Sequence, residues 1–231
     1  MKTPQSADFG TGHRRFAETQ FPTVVIAADY NGLNRTDKCS IRRKKALILT
    51  MLPLANMAHI LFIYSTVDGH TLEICQRLQQ VVSSCGHQAS LVELTPTTAV
   101  DLDRFDRIVI GASIRYGKHR PEVKAFIDQN INVLESKPSA FFSVNVVARK
   151  PEKREAHTNP YVKKFLNQIS WRPAVSAVFG GKIDYPKYGF WDKTIIRFIM
   201  WMTKGPTDPN TTVDFTDWVQ VDSFGQTIAN M

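Results

Sequence analysis

The chain has 231 residues, 43% of them hydrophobic, which suits one α/β domain with an extension or two small domains. Its net charge of +8 is uneven: residues 1–56 hold 9 Lys/Arg against 4 Asp/Glu, and the rest hold 20 against 17. The globular part is therefore only mildly basic and gives no support to a nucleic-acid footprint. Cys39, Cys75 and Cys85 have neither metal-ligand spacing nor the even number of a disulfide framework, and no metal site is expected. No apolar run reaches the ~18–20 residues of a membrane-spanning helix.

Residues 1–56 show no steady period of either kind. Arg42-Arg43-Lys44-Lys45 followed by an apolar stretch has the layout of a signal peptide. It lies too far from the start, and cleavage would fall against the first strand. The expectation is a leader that is disordered or reflects a mis-assigned start, with Met51 and Met57 as alternative starts. The core, 57–231, is expected to need nothing upstream of Met57.

His59-Ile60-Leu61-Phe62-Ile63-Tyr64 is a short buried strand, followed by Ser65-Thr66-Val67-Asp68-Gly69-His70-Thr71 and then a helix over 71–86. A strand, a loop of hydroxyls and a glycine, and a helix N-terminus together make a phosphate cradle, because backbone N–H groups and the helix dipole point at one spot. The loop lacks the lysine of G-x-x-x-x-G-K-[ST] and lacks G-x-G-x-x-G, so it is neither a Walker site nor a dinucleotide turn. Neutral donors suit a single phosphomonoester, as in flavodoxin-type FMN sites. An ordinary capped turn would use the same residue types. Asp68 opposes a phosphate unless it points outward or caps the helix.

Downstream, strand and helix alternate. Leu72, Cys75, Leu78 and Val82 are spaced on one helix face, and Gly86 closes the helix. Strands follow at 90–94, 107–112, 139–147 and 175–183, with helices at 121–134, 160–169 and 216–229; the crossover over 95–105 is small or absent. This order predicts a doubly wound, five-stranded parallel sheet with helices on both faces. Ligands then sit beyond the carboxyl ends of the strands, at loops 65–71, 113–119 and 143–150. In the second loop, Ser113, Ile114 and Gly117 offer donors and flexibility. Tyr116 is a ring to stack on a flavin, or an exposed loop tyrosine. Arg115 stabilises charge on the flavin or pairs at the surface. Phe141, Ser143, Val144 and Asn145 approach from the fourth strand and the third loop, Asn145 as an amide donor or as a turn residue. The three loops together favour FMN.

Gly111-Ala112-Ser113-Ile114-Arg115-Tyr116-Gly117, Pro138-Ser139-Ala140-Phe141-Phe142-Ser143-Val144-Asn145 and Ala148-Arg149-Lys150-Pro151-Glu152-Lys153-Arg154 resemble the quinone-dependent protoporphyrinogen IX dehydrogenases of the flavodoxin superfamily. Trp171-Arg172-Pro173 and Thr216-Asp217-Trp218 are similar too, so the resemblance spans about 58–230. It implies a flavodoxin-like fold and FMN as cofactor. It also implies six-electron oxidation of protoporphyrinogen IX to protoporphyrin IX in haem biosynthesis, with a membrane quinone, menaquinone or ubiquinone, as acceptor. The implied location is peripheral, on the cytoplasmic face of the inner membrane.

Arg149, Lys150, Lys153 and Arg154 sit in an insertion near 147–160 and suit propionates, anionic lipid headgroups or plain solvent. The stretch 190–203 is apolar over most of its circumference, with Lys193, Arg197 and Lys204 as a narrow basic stripe. It reads as an interfacial helix at a membrane surface or as a helix packed on the sheet. Thr207 and Asp208 follow it and are expected to touch the flavin or its phosphate. No general base is identified; His87, His119 and His157 are expected at the surface. The alternative functions are a flavodoxin-type electron carrier, for which the mildly basic domain is a poor match, and an NAD(P)H:quinone reductase.

Overall fold

A computed structural model describes residues 57–231; the leader, with the alternative start at Met51, lies outside the described residues, and the other alternative start, Met57, is the first residue described. Five parallel strands run in the order β2-β1-β3-β5-β6: β1 His59–Ser65, β2 Gln88–Glu93, β3 Arg107–Arg115, β5 Ser139–Asn145 and β6 Val175–Gly180. A two-residue strand, β4 Lys118–His119, folds back antiparallel on β3. This is the expected flavodoxin-like, doubly wound sheet.

The inner strands β1, β3 and β5 are largely apolar because both of their faces are covered. Along β1, Leu61 and Ile63 face one core cluster while Ile60, Phe62 and Tyr64 face the other. Helices α2 (Pro121–Gln129), α3 (Ile131–Ser136) and α4 (Pro160–Leu166) supply Val123, Phe126, Ile127, Leu134, Val162 and Phe165 to the first. Helices α1 (His70–Ser84) and α6 (Trp218–Ala229) supply Ile74, Leu78, Val221 and Phe224 to the second. Each such side chain contributes roughly 1.5–3 kcal/mol when fully buried. Cys75 is buried in the second cluster, and burial pushes its thiol up from the ordinary value.

Gly86, at φ +89°, ends α1 as expected: its N–H donates to the Ser83 carbonyl, and that of His87 donates to Val82. The helix expected over 121–134 is two helices, broken at Asn130, whose side chain donates to the Phe126 carbonyl and competes with the helical ladder. The strand expected over 175–183 also divides. β6 ends at Gly180, and β7 (Lys182–Asp184) joins β8 (Thr212–Asp214) in a separate antiparallel pair. Between β7 and β8 lies α5 (Phe190–Met202).

Candidate functional site

Three loops leave the carboxyl edge of the sheet side by side. Ser65 pairs with Ala112, and Ala112 with Ser143; β1 ends at that level, while β3 runs three residues and β5 two residues past it. This edge includes the reversal of strand order between β1 and β3, where sheets of this order bind ligands.

The loop from β1 to α1 has the form of an anion cradle. Gly69 is left-handed, at φ +84°, and nothing lies within 4 Å of where a Cβ would stand. Its N–H donates to Thr66 Oγ1 at 3.0 Å. No side chain caps α1, so its first N–H groups remain open. The hydroxyls of Ser65 and Thr71 are buried, and neither has a hydrogen-bond partner. Leaving a buried hydroxyl unpaired costs roughly 1–3 kcal/mol. Two in one loop, beside open helix N–H groups, mark a place that a ligand completes. The donor set is neutral, so these residues fit the phosphate of FMN. Val67, whose side chain is half in solvent, has only its backbone to offer.

Asp68 does not oppose an anion here. Both of its oxygens accept from Arg115 Nη1 at 2.9 Å. Arg115 Nη2 donates to Asp192 of α5, and the Tyr116 hydroxyl donates to that same carboxylate. The Tyr116 hydrogen bond first, and Arg115 after it, hold Asp192 below the usual carboxylate range. Of the two expected roles for Arg115, the structure shows the ion pair. The side chain of His70 also turns to other work. Its Nδ1 is 2.8 Å from Glu73 Oε2, and its Nε2 is 2.6 Å from Thr216 Oγ1. Thr216 in turn donates to the Gly180 carbonyl. His70 thus ties the start of α1 to the segment before α6 and leaves its backbone N–H at the cradle.

The second loop is shorter than expected, because Ser113, Ile114 and Arg115 extend β3. The Ser113 hydroxyl donates to the Ser65 carbonyl at 3.4 Å, joining the first two loops. Tyr116 (φ +49°) and Gly117 (φ +77°) make the turn, and Tyr116 leaves an aromatic face 63% exposed. His119 is not the surface histidine expected. It packs on Phe141 and Phe165, with ring centroids 5.7 and 4.4 Å away, and its Nε2 lies 3.0 Å from Ser143 Oγ. Burial pushes its imidazole down to about 4. The next residue, Arg120, donates to the Thr66 carbonyl at 3.3 Å. Neither contact has a local signal in the sequence. His87 is likewise engaged, between the Ala58 N–H and the Ala229 carbonyl, whereas His157 is exposed.

In the third loop, Asn145 is a turn residue: its Oδ1 accepts from the Ala148 N–H and from Asn159 Nδ2. Ser143 is buried against His119. Phe141 does not face the site. It is wholly buried between His119, Phe165 and Trp171, because the pleat turns its side chain into the sheet's core. Val144 packs into the opposite core for the same reason.

The basic run divides. Arg149 donates to the carbonyls of Val146 and Thr203 and to the Thr203 hydroxyl, fixing the end of α5. Arg154 lies 3.9 Å from Asp217, while Lys150 and Lys153 have no acidic partner among the described residues. The hydrogen bonds of Thr207 and Asp208 run to Arg197, Asn210 and Thr211, none of them in the three loops. Helix α5 rests on a narrow edge: Asp192 on Arg115, and Ile196 and Met200 against Ile183 and Tyr185. Its apolar face points outward, with Phe190, Trp191, Phe198, Trp201 and Met202 between 58% and 76% exposed. Of the two readings of this stretch, burial of that face on the sheet is not what the structure shows. No helix among the described residues is long and apolar enough to cross a membrane.

A family model described as a flavodoxin domain matches residues 61–210. Protoporphyrinogen IX dehydrogenase (quinone) of Escherichia coli strain K12 is 43% identical over 171 residues, covering 74% of this chain and 94% of that protein. The protein of the same name from Leishmania major is 39% identical over 170 residues, covering 73% of this chain and 74% of the relative. Oxidised Flavodoxin 1 from Bacillus cereus aligns with a TM-score of 0.40 at 12% identity, over 75% of this chain and 98% of that one.

Proposed function

Since the chain belongs to the flavodoxin-domain family and, within it, to the quinone-dependent protoporphyrinogen IX dehydrogenases, we propose that it oxidises protoporphyrinogen IX to protoporphyrin IX through FMN and passes the electrons to a quinone. The observation that carries this reading is the 43% identity over 94% of the Escherichia coli enzyme.

FMN supplies the two-electron exchange with donor and acceptor, so removing six electrons takes three cycles. The chain supplies binding and orientation. Ser65, Thr66, Thr71 and the first N–H groups of α1 hold the phosphate, with Gly69 leaving room for it. Ser113, the backbone from Ile114 to Gly117, the Tyr116 ring, and the backbone of Ser143, Val144 and Asn145 border the flavin ring. Arg115 keeps the Asp68 charge from repelling the phosphate.

The acceptor is a membrane quinone of the menaquinone or ubiquinone type, and the protein works peripherally at the cytoplasmic face of the inner membrane. The outward apolar face of α5 supports this placement, since aromatic residues beside Lys193 and Arg197 suit a lipid interface. Arg149 fastens the end of α5 to the turn that carries Lys150 and Lys153, and their charge suits anionic headgroups.

The test is an anaerobic fluorescence assay of FMN-loaded protein with protoporphyrinogen IX, with and without a menaquinone analogue. Quinone-dependent appearance of protoporphyrin fluorescence is the expected result. FMN binding without porphyrin formation would leave the electron carrier or the quinone reductase. Flotation with anionic vesicles tests the interface: Trp191→Ser with Trp201→Ser abolishes binding, and retention by that variant refutes the role of α5.

A further inference from the structure

A cleft of about 300 Å³ opens between the β3–β4 hairpin and helices α2 and α4. It lies outside the phosphate cradle yet adjoins the three loops. Its wall residue His119 contacts Ser143 of β5, and its wall residue Arg120 donates to the Thr66 carbonyl in the phosphate loop. Four cations line it: Lys118, Arg120, Lys124 and Lys164. Two of them are neutralised locally, Arg120 by Glu122 at 2.6 Å and Lys124 by Asp128 at 2.5 Å. Lys118 and Lys164 are exposed, and neither has a carboxylate within 4 Å among the described residues. The remaining wall is aromatic and apolar, with Tyr161 and Phe165 side by side with His119.

A cleft with two uncompensated ammonium groups over an aromatic floor is complementary to flat apolar pyrrole rings carrying two carboxylates. We infer that this cleft binds the propionate edge of the tetrapyrrole, with Lys118 and Lys164 as its carboxylate partners. The inference rests on the reading that the protein acts on protoporphyrinogen IX. The molecule carries its two propionates on adjacent pyrroles, and both are ionised at neutral pH. The volume accommodates that edge and not the whole macrocycle, which leaves the opposite edge to project from the cleft. Tyr161 and Phe165 cover the apolar faces of the pyrroles. His119 stays uncharged at neutral pH, so it adds no third cation to the pair. Of the two arginines that the sequence offered to the propionates, Arg149 is already spent on Val146 and Thr203, and Arg154 lies 3.9 Å from Asp217.

The experiment uses the full FMN-loaded chain in detergent micelles and titrates two fluorescent probes, protoporphyrin IX and its dimethyl ester. Wild-type protein is expected to bind the diacid about tenfold more tightly than the ester, the sum of two partly exposed ion pairs. Lys118→Ala with Lys164→Ala is expected to erase that difference by weakening diacid binding alone, with FMN content unchanged. In turnover it raises KM for protoporphyrinogen IX by a similar factor and leaves kcat. Lys150→Ala with Lys153→Ala, in the other basic run, is expected to retain the discrimination. If the Lys150/Lys153 variant loses it and the Lys118/Lys164 variant keeps it, the cleft is not the site. Wild-type turnover without any preference for diacid over ester overturns the cleft assignment and leaves the dehydrogenase reading standing. Wild-type protein that neither binds nor oxidises a tetrapyrrole overturns that reading and the cleft with it.

Discussion

Acid should destabilise this fold through one histidine before the carboxylates titrate. His119 lies beneath the β3–β4 hairpin, packed on Phe141 and Phe165, with Ser143 Oγ 3.0 Å from its Nε2. Burial lowers its imidazole from an ordinary 6.5 to about 4. Between those two values the unfolded chain binds a proton that the native state refuses. The contribution to stability is therefore complete above about pH 6.5 and falls as pH drops toward 4. Each pH unit of that gap is worth about 1.4 kcal/mol, so going from pH 7 to pH 4.5 removes about 2–3 kcal/mol. That figure is a ceiling, because the ring borders an open cleft. His119→Gln keeps a donor and an acceptor for Ser143 and does not titrate. Urea unfolding of wild type and variant at both pH values isolates the effect, since the other histidines and the acids are common to both and cancel. Wild type should lose about 2–3 kcal/mol more than the variant across that interval. Equal losses would mean that the native imidazole protonates as readily as the unfolded one, and the account of His119 as a buried neutral group would fall.

The cradle predicts an opposed pair of effects at Thr71. Thr71→Val removes a buried hydroxyl with no partner, so the apoprotein holds its stability or gains about 1 kcal/mol while the FMN Kd rises about tenfold; thermal melts and flavin fluorescence titration measure the two, and a loss of apoprotein stability would show that the hydroxyl already has a partner. Arg115→Ala frees Asp68 beside the phosphate and weakens FMN binding roughly five- to tenfold. Adding Asp68→Asn restores most of that loss, and an absence of rescue would show that Asp68 exerts no field on the ligand. Gly111→Ala places a Cβ 2.2 Å from the Phe142 ring across the β3–β5 pair, costing about 1–3 kcal/mol of overpacking, read as a lower urea midpoint with an unchanged slope.

The sheet was legible because parallel strands covered on both faces are apolar along most of their length, as in Ile60–Tyr64 of β1 and Ala140–Phe142 of β5. The breaks were not. A helical period runs straight through Asn130, where the backbone leaves helical angles (φ −115°, ψ 19°) and the side chain bonds to the Phe126 carbonyl. Nothing local to 175–183 announces that a Cβ on Gly180 would stand 2.1 Å from the Phe215 carbonyl, the close approach at which β6 ends and the β7–β8 pair begins. The site divided in the same way. Ser65, Thr66, Gly69 and Thr71 form one local strand–turn–helix unit, so their spacing carried the cradle. The tasks of His70 and Arg115 are fixed by partners 146 and 47 or 77 residues away, and residue type alone pointed them at the ligand.

That difference gives a way to separate residues that face a ligand from residues that build the place for it. Ser113, Asn145, His70 and Arg115 are polar groups at the right loops, and each has its hydrogen-bonding capacity engaged within the protein. They hold the three loops in register and neutralise Asp68. What remains after they are removed is small: two buried hydroxyls without partners and the open N–H groups of α1 beside Gly69. A buried donor left unpaired is costly in an empty fold, so its persistence makes sense only if a bound group completes it. The same subtraction outside the cradle removes Arg120 and Lys124, each paired with its own acid, and leaves Lys118 and Lys164 over an aromatic floor. One criterion thus yields two adjacent sites of different chemistry, a phosphate cradle of neutral donors and a cleft with two uncompensated cations. An enzyme that must bring a flavin phosphate and a dicarboxylate macrocycle to one sheet edge needs both.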